Sequence, residues 1–183
     1  TYISDLGSDK NKIFQNFKKQ ADLINFGTDF FYLDVMCSLE EAEIAINSIK
    51  HLNKKFIVGL HFKENGLLPS KENFIDVIQS LKKYKPLGIT GSCVALKDTL
   101  SIKDQLKNIE IPFGFKINAF KEIPEGWKPD NTNPNVVLGK DTDLTLEKFF
   151  YASKQLVNFG SKIIGGCCEI SPDHISKLVK LKQ

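Results

Sequence analysis

The chain has 183 residues, 42% of them hydrophobic, and a formal net charge of +3. That is enough for one ordinary buried core, and no apolar run approaches the roughly 18 residues that span a bilayer, so a membrane protein is excluded. Every one of the 25 Lys or Arg positions is lysine, and a chain without the guanidinium fork is a poor reader of phosphates or guanine edges, which sets nucleic acid aside.

The lysines are spread along the whole sequence and read as solvated faces. The chain opens Thr1-Tyr2-Ile3-Ser4 with neither Met nor a basic-then-apolar leader, so a processed, trimmed or partial product is expected. Apolar residues at Ile13, Phe17, Ala21 and Ile24 predict an amphipathic helix over Lys12 to Phe26, with Gly27 as its stop. The nearly continuous apolar run from Asp29 to Met36 predicts a strand buried on both faces. Ser38 with Glu41 forms a capping box that opens a helix striped by Leu39, Ala42, Ile46 and Ile49.

The pattern then repeats. Phe56 to Phe62 reads as a strand and Ser70 to Tyr84 as a helix. Leu87 to Thr90 is a third strand, ending at Gly91-Ser92-Cys93, and Ser101 to Ile109 a further helix. Pro112 to Ile117 is a fourth strand. The rhythm breaks over 118–142, where Pro124-Glu125-Gly126-Trp127 and Asn131-Thr132-Asn133-Pro134-Asn135 are too rich in turn formers for a regular helix. Trp127 argues for a loop that packs. Thr145 to Phe159 resumes as a helix, and Lys162 to Gly166 is the last strand. Ser171 as N-cap and Pro172 at the first helical position open the last helix.

Strand and helix alternating at a spacing of about 30 residues predict parallel βα units, in a doubly wound sheet or a (β/α)8 barrel. No glycine-rich phosphate fingerprint follows any strand, which removes support from the dinucleotide-binding version of the first. In a barrel the chemistry lies at the C-terminal strand ends, where Asp34, Cys93, Asn118, Cys167 and Cys168 all fall. Adjacent strand residues point to opposite faces, so Cys167 and Cys168 can share one metal only where the chain has turned, a turn for which Gly165 and Gly166 supply the backbone freedom. Three thiolates with an open fourth position describe a catalytic zinc, since structural zinc is closed by four protein ligands. The cysteine usage suits a reducing, cytoplasmic setting. Cys37 reads as a bystander, His61 as a satisfied polar residue and His174 as helix-start or packing chemistry.

The run Ile163 to Ile175 resembles the Ile-Ile-Gly-Gly-Cys-Cys-Gly-Thr-Thr-Pro-Glu-His-Ile motif of the homocysteine S-methyltransferases, with Glu169, Ile170, Ser171 and Asp173 as departures. Asn118-Ala119 looks like the family's Pro-Asn-Ala/Gly segment, with Ile117 for Pro, and Ser38 to Ala42 resembles its Ser-Leu-x-Glu-Ala. The resemblance runs from about Ile13 to the end. It implies a zinc-dependent (β/α)8 barrel enzyme, of which residues 1–183 are the C-terminal portion of a single domain with about the last five βα units. It implies methyl transfer to homocysteine, giving methionine, from a sulfonium, ammonium or folate donor. Cys93, Cys167 and Cys168 would hold zinc, while Asp34, which replaces the family's Glu, and Asn118 would hold the amino acid. Ser92 stands where the family usually has Asn. A barrel of this type takes roughly 250 residues, so the first strands are expected from a longer chain or a partner. A degenerate zinc-binding homologue without activity, or a structural or redox dithiol protein, are the competing readings.

Overall fold

Seven helices and five strands alternate along the described residues of a computed structural model, which are 7, 9–124, 127–128 and 133–182. The expectations for Thr1-Tyr2-Ile3-Ser4, Glu125-Gly126 and Asn131-Thr132 lie outside them. Helix α1 (Lys10–Ile24) precedes strand β1 (Phe30–Met36), α2 (Leu39–Ile49), β2 (Lys55–Leu60), α3 (Phe74–Leu81) and β3 (Gly88–Ala95). Then come α4 (Leu96–Ser101), β4 (Phe113–Asn118), α5 (Pro134–Leu138), α6 (Leu146–Asn158), β5 (Ile163–Gly166) and α7 (Pro172–Leu178).

The strands form one sheet in the order β1-β2-β3-β4-β5, every pair parallel. A doubly wound sheet reverses its strand order at a switch point, and this order never reverses. Sequential parallel strands are the barrel arrangement, so the chain supplies five βα units of a (β/α)8 fold. One face of the sheet carries Phe31, Leu33, Val58, Leu60, Ile89 and Phe115 into a core closed by Ile46 of α2, Val77 and Leu81 of α3, and Phe149 and Leu156 of α6. The opposite, inner face is where the polar side chains gather.

Strand β1 departs from the expectation of burial on both faces. Phe31 and Leu33 are buried at 4% and 8% exposure, but Phe30 and Tyr32 are 44% and 37% exposed. Among the described residues β1 lies at the edge of the sheet, and its inner face is only partly covered, with Lys116 Nζ 5.2 Å from the Tyr32 ring. The α1 stripe likewise holds at Ala21, while Ile24 is exposed. Helix α4 starts at Leu96, five residues before the expected Ser101, because extended Ala95 passes into it with no side-chain cap to mark the start. Turns of 3-10 helix follow from Lys103 to Asn108 and bury Ile102 and Leu106. Helix α3 begins at Phe74, capped by Asn73, whose side-chain oxygen accepts from the Ile75 amide at 2.9 Å. In the stretch 118–142, Pro134–Leu138 winds into a short helix that the turn-rich composition concealed.

At the start of α2, Ser38 Oγ accepts from the Glu41 amide at 3.0 Å. The Glu41 carboxylate reaches back one residue further than a capping box requires, to the Cys37 amide at 2.7 Å.

Candidate metal centre

Two bulges shape the C-terminal rim of the sheet. Register shifts between Leu33 and Met36 on β1 and between Ser92 and Val94 on β3, with Val35 and Cys93 in the left-handed region at φ 57° and 54°. Non-glycine residues there carry strain of order 1–3 kcal/mol, and bulges re-aim the side chains they carry. At Cys93 the re-aimed group is a thiol. Both carbonyls of this bulge are held by side chains: His61 Nδ1 donates to Ser92 O at 3.2 Å and Asn118 Nδ2 donates to Cys93 O at 2.6 Å. Asn118 is 3% exposed, and its Oδ1 accepts from the Phe120 amide at 3.0 Å. Burial pushes His61 down to about 4, so it is neutral at pH 7.

The other two thiols come from the turn after β5. The Cys167 amide donates to Ile117 O at 2.7 Å, the Ala119 amide to Cys168 O at 2.9 Å, and the Ile170 amide closes the turn on Cys167 O at 3.1 Å. The turn's left-handed residue is Glu169, at φ 63°, whereas Gly165 and Gly166 both keep ordinary φ values. The expected backbone freedom is therefore not what the glycines provide. Gly166 provides room: a Cβ there would lie 2.2 Å from Ile170 Cγ2. Glu169→Gly should stabilise the protein by about 1 kcal/mol by relieving the left-handed side chain. Thermal unfolding of the metal-free protein checks this, and a lower melting temperature would contradict it.

These elements bring Cys93, Cys167 and Cys168 together as the sequence predicts. The three Sγ atoms lie within 4.8 Å of one another, Cys93 to Cys168 at 3.9 Å and Cys167 to Cys168 at 3.8 Å. A tetrahedral ion with sulfurs at about 2.3 Å spaces its ligands about 3.8 Å apart, so the residues fit zinc. Cys93 is fully buried and the other two are partly exposed, leaving one side open. Hydrogen bonds from the Cys168 and Cys93 thiols, with the Lys116 charge adding, pull the Cys167 pKa well below the ordinary thiol value. Cys168, which shares its proton with Cys167, is held above that value. Cys37 takes no part. It is 0% exposed, and burial with the Glu41 charge nearby pushes its thiol up to about 12.

Asp34 sits on the inner face of the sheet and forms an ion pair with Lys116, while Ser92 Oγ donates to the same carboxylate. Tyr32 lies across Gly59 to reach Thr90 Oγ1 at 2.6 Å, where a Cβ on residue 59 would lie 2.9 Å from the tyrosine ring. Lys116 Nζ stands 5.2 Å from the centre of the Tyr32 ring. Burial alone would lower the Lys116 pKa, but the hydrogen bond to Asp34 and the neighbouring Cys167 charge hold it above the ordinary lysine value. The expectation that the lysines are solvated faces fails at this position, because Lys116 belongs to the site. One signal was present in the sequence: a lysine alternating with Phe115 and Ile117 in a strand whose outward positions are apolar must point inward.

Described parts of the long connection after β4 pack against Cys168. Phe120, Ile123 and Leu138 form a small buried cluster against which Trp127 and Cys168 pack, as a packed loop requires. His174 takes the helix-start role expected of it: its Nδ1 accepts from the Ser171 amide at 3.2 Å, and its ring meets Phe149 edge to face at 5.4 Å.

A sequential parallel sheet with three thiols grouped on its C-terminal rim is a barrel-type sheet carrying a candidate metal site. The chain belongs to the homocysteine S-methyltransferase family, whose sequence model matches residues 2–181. It is 24% identical over 190 aligned residues to homocysteine S-methyltransferase 2 of Saccharomyces cerevisiae, covering 97% of this chain and 56% of that protein. Its fold matches the crystal structure of the apo homocysteine methyltransferase MmuM from Escherichia coli with a TM-score of 0.72 at 15% identity, covering 96% of this chain and 59% of that one. The carboxyl transferase domain of Rhizobium etli pyruvate carboxylase, crystallised with pyruvate, shares the fold at a TM-score of 0.50 and 13% identity, over 86% of this chain and 24% of that one. The chain thus spans a little over half the length of the methyltransferases it matches.

Proposed function

We propose that residues 1–183 are the C-terminal portion of a single barrel domain that transfers a methyl group to the thiol of homocysteine, giving methionine, with Zn2+ held by Cys93, Cys167 and Cys168. The observation that carries this reading is the grouping of those three thiols, all within 4.8 Å, at the rim of a sheet from this family. The remaining strands come from a longer chain or a partner. A zinc ion at this place supplies acidity, making a thiol available as thiolate near neutral pH.

The chain's own residues do the rest. Cys93, Cys167 and Cys168 would hold the ion, and the partly exposed side of the group would admit the substrate sulfur. Asp34, below them on the inner face, meets the substrate ammonium, and Ser92 keeps its carboxylate oriented. Asn118 secures the Cys93 ligand by its carbonyl and thereby acts through the metal site. The substrate sulfur attacks the methyl carbon of a sulfonium, ammonium or folate donor, which leaves with the bonding pair. Such thiols must stay reduced, which suits a reducing, cytoplasmic setting; among the described residues no helix is long and apolar enough to cross a membrane.

One observation favours a second reading, a zinc-binding homologue without transfer activity: Lys116 already occupies the Asp34 carboxylate. The full-length product, loaded with zinc and given homocysteine with a sulfonium, an ammonium and a folate methyl donor in turn, decides between them. Methionine formed from one donor, and lost in Cys167→Ser, is the expected result. Stoichiometric zinc with no methionine from any donor would establish the second reading. A protein that takes up no zinc at all would leave a dithiol protein in their place.

A further inference from the structure

The Asp34–Lys116 ion pair is unusual for its place, since it lies on the inner face of a sheet directly below a group of thiols. Its side chains are 38% and 20% exposed, so the pair is partly desolvated yet open to a ligand. Register fixes the depth. Lys116 pairs with Ser92, one residue before Cys93, and with Gly165, two residues before Cys167. Two strand residues span about 7 Å, close to the reach of a four-carbon amino acid from its terminal sulfur to its carboxylate. The space is there as well: a Cβ on Gly165 would meet nothing within 4 Å.

We propose that Lys116 is the carboxylate-binding residue of this site, and that an α-amino acid thiol enters by splitting the Asp34–Lys116 pair, its ammonium on Asp34 and its carboxylate on Lys116. This rests on the reading of the thiol trio as the place where the substrate sulfur binds. Each half of a zwitterion replaces the partner it removes, so neither protein charge is left unpaired. An ammonium has three donors, and Asp34 takes only one of them. The face of the Tyr32 ring, 5.2 Å from Nζ, holds the cation in place while its anionic partner changes. Tyr32 is itself fixed by Thr90. The site therefore selects a zwitterion over a simple aminothiol.

Calorimetric titration of the zinc-loaded, full-length protein with homocysteine and with 3-aminopropane-1-thiol, its analogue without the carboxylate, tests this. Homocysteine should bind about tenfold to hundredfold more tightly. Lys116→Met should abolish the preference, weakening homocysteine while the aminothiol, which no longer strands a lysine, binds at least as tightly as before, and Lys116→Arg should keep most of it. Equal affinities in the wild-type protein would overturn the role of Lys116 while leaving the thiol site intact. Tighter binding of both thiols to Lys116→Met would show that the lysine blocks the site, which also overturns it. Binding of neither thiol would remove the underlying functional reading as well.

Discussion

Cys168→Ala is expected to reduce bound zinc in the full-length protein from about one per chain to a small fraction of that, with Cys37→Ala as the control that keeps it. Cys168 is the central member of the trio, within 3.9 Å of Cys93 Sγ and 3.8 Å of Cys167 Sγ. Without it only two thiols remain, and catalytic zinc sites use three protein ligands. The fold should survive, because Cys168 is partly exposed and packs at the margin of the small Phe120–Ile123–Leu138 cluster. Metal analysis of protein purified under reducing conditions measures the effect. Unchanged zinc in Cys168→Ala would remove this residue from the site.

Asn118→Ala is expected to lower zinc affinity by about tenfold to hundredfold, the usual cost of losing a group that orients a metal ligand. Two buried groups would lose their partner, the Cys93 carbonyl and the Phe120 amide, at about 1–3 kcal/mol each. The Cys93 bulge, held at φ 54° against its own preference, would be free to relax. Competition with a chromophoric chelator gives the affinity, and chemical denaturation gives the stability. Were Asn118 only a contact for the amino acid, zinc affinity would stay at the wild-type value and the Michaelis constant for homocysteine alone would change.

The parts of this arrangement that sequence exposes are those set by periodicity and by residue chemistry. Short apolar runs set between helical stretches mark the strands, so β2, β4 and β5 fall within a few residues of where they are read. The cysteines at the strand ends, and the Ser171-Pro172 helix start, could be placed because each residue type has few physical reasons to stand there. What depends on neighbours in space was hidden. The inner face of β1 reads as buried until the sheet shows it to be an edge, and Gly166 reads as a flexible residue until Ile170 is seen to need its missing side chain. Lys116 reads as one lysine among 25. Only the register of the whole sheet, from β1 to β5, sets it beside Asp34 and below the thiols.

The central claim is that Cys93, Cys167 and Cys168 hold one zinc and leave its fourth position for a substrate sulfur. X-ray absorption at the zinc edge, on the full-length protein before and after adding homocysteine, tests it most directly. Three sulfur neighbours at about 2.3 Å with one lighter atom, changing to four sulfurs with homocysteine, is the predicted result. Zinc coordinated without sulfur, or a set of four sulfurs already present before any thiol is added, would contradict it.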